Sequence, residues 1–71
     1  MEWRLIQDHW IELECVILDN WERLTQDNIY DIAGKRELLV DKLQHIYGIN
    51  KQEANKQINA FADSVQDIKY H

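Results

Sequence analysis

The sequence contains no proline, two glycines and a single cysteine. Without proline, and with so little glycine, the chain lacks the composition of a flexible linker or of a turn-rich β architecture, and it reads as helix with few stops. The one cysteine, Cys15, cannot close a disulfide within the chain, and a lone thiol suits a reducing compartment better than a cross-linked secreted scaffold. Long hydrophobic runs are missing as well, since the longest, Cys15 to Leu18, is four residues. A membrane-spanning helix needs roughly 20 apolar residues, and the opening MEWRLIQDHW carries acids at Glu2 and Asp8 where a signal peptide would have an apolar core. Neither export nor membrane spanning is expected, and a cytoplasmic location is.

Basic charge is also scarce, with 8 lysines and arginines against 13 acids and a net charge of −5 at pH 7. Residues 1–32 hold eight acids against Arg4 and Arg23, net −6, whereas residues 33–71 hold six bases against five acids, net +1. The first half should repel polyanions, and the two halves should attract each other mildly within one fold.

What is present is helical periodicity. The chain of 71 residues, 45% hydrophobic, has enough apolar material for one core, so a single domain over residues 1–71 is expected. Trp3, Ile6, Trp10, Leu13, Ile17, Trp21 and Leu24 recur at three- and four-residue steps, which predicts one helix from about Trp3 to Leu24 with that face buried. Thr25 offers a hydroxyl cap for a short helix over about Gln26 to Ala33, carrying Ile29 and Ile32. Gly34 then either breaks that helix or permits close contact with another backbone, and a break or sharp bend is favoured. A further helix over about Lys35 to Tyr47 aligns Leu39, Leu43 and Ile46, with Val40 and Tyr47 at the margin and Gly48 as a left-handed stop. Asn50 caps the last helix, with Glu53 placed for a capping box and Ala54, Ile58, Phe61, Val65 and Ile68 in one stripe. Four helices joined by tight turns imply an all-α bundle.

Several of these residues together resemble a known family. Trp10, Trp21, Leu24-Thr25 with Asp27, Ile32, the triplet Gly34-Lys35-Arg36, Leu39, Leu43-Gln44, Tyr47-Gly48, Ala54, Ile58 and Phe61 fall in the order and spacing of the CsbD-like proteins, small bacterial proteins associated with general stress responses. The resemblance implies a small cytoplasmic domain of orthogonally packed helical hairpins with no established enzymatic activity or cofactor. The departures lie in the first helix, where such proteins tend to carry lysines and a small residue. Here those positions read Ile11, Glu14, Cys15, Val16 and Leu18.

At about 100° per residue, Ile11, Cys15 and Leu18 form a second apolar stripe beside the core-facing one. Two readings compete: a homodimer or partner-protein interface along this stripe, or a bundle that wraps further around the first helix. A second constellation, Tyr47-Gly48-Ile49-Asn50 followed by Ala54 and Ile58, resembles a helix-hairpin-helix element that grips nucleic-acid backbones. Lys35, Arg36, Lys51 and Lys56, with amides near Gly48 and Asn50, would then meet phosphates. Net acidity argues against it, as does the simpler reading of a glycine stop followed by an asparagine cap.

No catalytic, metal or cofactor set emerges. His9 and Glu12 supply two ligands where zinc needs three or four. Cys15 sits among Glu12, Glu14 and Asp19, which disfavour a thiolate. Asp27 and Asp31 lie near a helix start whose dipole accounts for them, and the three tryptophans fall on the core stripe. Protein contact or self-association without catalysis is the expected mode of action, with no small-molecule substrate evident.

Overall fold

The computed structural model describes residues 2–65, and every regular element among them is an α-helix. They form α1 (Trp3–Asp8), α2 (Glu14–Asn20), α3 (Gln26–Ile32), α4 (Arg36–Tyr47) and α5 (Lys51–Ser64). Neighbouring helices pack in sequence, α2 on α3, α3 on α4 and α4 on α5.

The expected single helix from Trp3 to Leu24 is instead two helices joined by a run of turns over residues 9–13, so the described residues hold five helices rather than four. The turns stay hydrogen-bonded but tighten. Trp10 N–H donates to the Gln7 carbonyl at 3.3 Å and Glu14 N–H to Ile11 at 3.2 Å, three residues back rather than four. A straight helix over that span would be about 33 Å long, and α5, the longest element present, is 14 residues or about 21 Å. Bending at 9–13 wraps both arms onto the core, and Ile6, Trp10, Leu13, Ile17, Trp21 and Leu24 are all buried as their spacing predicted.

The joints follow local chemistry. Thr25 accepts from Asn28 N–H at 3.2 Å while Asn28 Oδ1 accepts from Thr25 N–H at 2.9 Å, a reciprocal box that holds the start of α3. Ala33 and Gly34 both take left-handed conformations, φ 51° and 80°, and end α3. Gly34 also does the second thing its sequence position allows: a Cβ there would lie 2.8 Å from Gln7 Cγ and 3.1 Å from the Gln7 backbone, so α1 approaches within glycine distance. Gly48, φ 66°, stops α4 by donating to the Gln44 carbonyl at 3.0 Å. Asn50 caps α5 by accepting from Glu53 N–H at 2.7 Å, but the Glu53 carboxylate turns along the helix to Gln57 at 3.1 Å rather than completing the expected box.

The core runs through all five helices, with Ile29, Ile32, Leu39, Leu43, Ala54, Ile58 and Phe61 at 2% exposure or less. Each fully buried aliphatic or phenyl side chain contributes about 1.5–3 kcal/mol relative to exposure. Val40 is buried where a marginal position was expected, Tyr47 and Ile46 are half-buried against the core, and Ile68 lies outside the described residues. Between the two halves, Lys42 Nζ lies 3.9 Å from Asp31 Oδ2.

Candidate functional site

The tryptophans are structural. Trp10 and Trp21 are 3% exposed and Trp3 is half-buried beside them. Each indole N–H donates within the fold, Trp3 to the Gly34 carbonyl at 2.9 Å, Trp10 to Ile29 at 2.7 Å and Trp21 to Gln57 Oε1 at 3.0 Å. Trp21 stacks at a tilt on Phe61, with ring centroids 5.0 Å apart. These rings are occupied by packing.

The residues suggested for nucleic-acid contact are only partly brought together. Arg36 is half-buried and held against the fold, its guanidinium 2.7 Å from Asn59 Oδ1, 3.3 Å from Asn55 Oδ1, and over the Trp3 ring at 5.6 Å. Lys51 and Lys56 are exposed on α5, and Lys35 precedes α4. The groove that Lys51 and Arg36 share also contains Glu37 and Asp41, which offset their charge. The Gly48 amide and the Asn50 side chain are already engaged in ending α4 and starting α5.

His9 and Glu12 approach to 3.4 Å, and among the described residues no group of three or more His, Cys, Asp or Glu side chains converges. No polar or charged residue is buried among them either. What the surface does offer is apolar area on the N-terminal arm. Ile11 is 57% and Val16 45% exposed, and Cys15 is exposed between them. Ile17 is fully buried, and Cys15, two residues earlier, lies on the opposite side of α2. Leu18 is half-buried against the core edge, so the stripe read from the sequence divides into an outward part, Ile11 and Cys15, and a marginal part, Leu18.

Sequence reasoning named Val16 only as a departure from the family pattern and passed over Leu5, Tyr30 and Leu38; all four are large and exposed. The helical projection held the signal for Val16, which stands about 100° from both Cys15 and Ile17. Tyr30 had no such signal. It comes beside the arm because α3 packs on α2, and there Gln26 Nε2 bridges the Tyr30 hydroxyl, 3.3 Å, and Glu14 Oε2, 3.1 Å. Between α3 and the 9–13 turn the surface forms an open groove of about 280 Å³, with Ile11, Tyr30 and Trp10 among its apolar lining and Asp8 and Glu12 among its polar lining.

The molecule so described is a small all-helical protein whose distinctive surface is an apolar, acid-flanked arm. No family model and no solved structure matches it. Curated relatives do. A UPF0337 protein of Nitrosomonas europaea is 44% identical over 69 residues, 97% of this chain and 73% of the relative. The UPF0337 protein YjbJ of Escherichia coli is 36% identical over 50 residues, 70% of this chain and 72% of that one, and a UPF0337 protein of Pseudomonas aeruginosa is 36% identical over 59 residues, 83% and 91% of the two chains. The chain belongs to the UPF0337 family, the CsbD-like family that its residue pattern resembles. The names of these relatives carry the family designation and no activity. No helix of the described residues is long and apolar enough to cross a membrane.

Proposed function

We propose that this protein acts without catalysis, in the cytoplasm, by protein contact through its N-terminal arm, with self-association along Ile11, Cys15 and Leu18 as the form of that contact. The stress-response setting associated with CsbD-like proteins and the orthogonal packing of their helical hairpins belong to the same reading. The observation that carries it is the exposure of Ile11 and Val16, 57% and 45%, on both sides of the exposed Cys15 in a chain with little apolar area to spare. A domain this small hides only about 60% of the surface its unfolded chain exposes, so covering an apolar strip on the outside adds stability that the core alone does not supply.

Glu12, Glu14 and Asp19 lie among these residues, so a symmetric pair brings like charges together. Its association should therefore tighten as salt screens them. Sedimentation of the wild-type chain over a range of concentration and salt tests this, together with Leu18→Glu, which adds a charge at the strip's margin. A dimer that strengthens with salt and is lost in the variant supports the reading. A monomer at every concentration, or an unchanged dimer in the variant, rejects the strip as the interface.

A further inference from the structure

The groove between the 9–13 turn and α3 shares Ile11 with that strip, and the rest of its lining differs. Ile11 and Tyr30, 57% and 52% exposed, present apolar and aromatic surface, and Trp10 adjoins them. Asp8 and Glu12 supply carboxylates, with His9 between them 3.4 Å from Glu12, Glu14 stands next to Tyr30 through Gln26, and the lining includes no lysine or arginine. About 280 Å³ open to solvent is too little and too exposed to enclose a metabolite, because small-molecule sites bury most of their ligand in cavities of about 300–1,000 Å³. A groove of this size accepts one or two side chains from a larger surface.

A second copy of the chain matches it poorly. The chain carries −5 overall and −6 in residues 1–32, so a second copy brings further negative charge to these carboxylates. Apolar side chains with cations beside them match it well: the former cover Ile11 and Tyr30, and the latter answer Asp8 and Glu12. We infer that this groove docks a basic amphipathic helix of a partner protein, laid with its apolar face over Ile11 and Tyr30 and its cations toward Asp8 and Glu12. The inference rests on the reading of the N-terminal arm as a contact surface and shares Ile11 with it, but it also needs Asp8, Glu12 and Tyr30, which the strip does not use, so the two can fail separately.

The test is an anisotropy titration of the full chain with a labelled helical peptide of leucine and lysine, beside two controls: a leucine and glutamate counterpart, and a lysine and serine peptide of equal charge without an apolar face. The expected result is saturable binding of the leucine and lysine peptide alone, weakening as salt rises, opposite to the salt response of the dimer. Ile11→Ser should weaken it about tenfold or more, and Asp8→Lys with Glu12→Lys should abolish it and admit the glutamate peptide instead. All three positions are surface ones, and circular dichroism of each variant checks that the helices persist. No saturable binding overturns the inference, as does binding that Ile11→Ser leaves unchanged or that the lysine and serine peptide reproduces. Sedimentation of the chain without peptide separates the two proposals: peptide binding by a strict monomer removes the strip and keeps the groove, and a dimer that ignores the peptide does the reverse.

Discussion

Gly34 and Gly48 provide a controlled comparison, because both hold left-handed backbone, φ 80° and 66°, and only one of them touches another helix. Alanine at either site places a Cβ in the left-handed region at a cost of about 1–2 kcal/mol. Alanine also narrows the unfolded ensemble, which returns roughly 0.4–1 kcal/mol. At Gly48, where nothing lies within 4 Å of the new Cβ, the net cost should be about 1 kcal/mol. At Gly34 the same Cβ meets Gln7 Cγ at 2.8 Å and the Gln7 Cα and carbonyl oxygen at 3.1 Å. The side chain can swing away, but the backbone moves only if α1 shifts, and with it the 2.9 Å bond from Trp3 to the Gly34 carbonyl. Overpacking of this kind adds about 1–3 kcal/mol, so Gly34→Ala should cost about 2–4 kcal/mol in total. Total stability for a chain of this length is roughly 4–10 kcal/mol, and the variant would lose a large share of it. Urea denaturation followed by tryptophan fluorescence and circular dichroism measures both variants, with an unchanged slope required before midpoints are compared. Equal midpoint shifts for Gly34→Ala and Gly48→Ala would refute the close approach of α1. Gly48→Asn, which tolerates the left-handed conformation, should fall between wild type and Gly48→Ala.

Other substitutions probe separate parts of the fold. Phe61→Ala, at a position 2% exposed and stacked on Trp21, should cost about 3–5 kcal/mol by the same denaturation assay, and a near-neutral midpoint would overturn the assignment of α5's inner face. Trp10→Phe keeps most of the ring but removes the 2.7 Å donor to the Ile29 carbonyl, which keeps its bond from Ala33 N–H at 3.2 Å, so a loss of about 0.5–1.5 kcal/mol is expected, and no loss would mean that the indole bond adds nothing to stability. Labelled DNA and RNA, duplex and single-stranded, should show no saturable binding near physiological salt. Micromolar binding that weakens with salt and disappears in a Lys51→Glu, Lys56→Glu variant would move nucleic acid ahead of protein contact.

Local signals in the sequence carried a large part of the fold. Thr25, Gly34, Gly48 and Asn50 ended and started helices where their chemistry said they should, because caps and left-handed stops act within a few residues of chain. The buried faces were legible too, since three- and four-residue spacing survives any arrangement of the helices: Ile6 to Leu24 and Ala54 to Val65 are buried as that spacing predicted. The turn at 9–13 had no such signal. No glycine or proline marks it, and the break is evident only where the structure folds both arms onto the core. The same long-range packing decides which of two adjacent apolar residues meets water. It buries Ile17, leaves Val16 exposed, sets Leu18 at the margin, and brings Tyr30 beside Ile11 from 19 positions away. Sequence alone therefore determined which residues could be inside and where the capped joints at Thr25, Gly34, Gly48 and Asn50 fall. The tertiary structure decided the bend of the N-terminal arm and the surface left outside it, because both depend on the volume that distant segments fill.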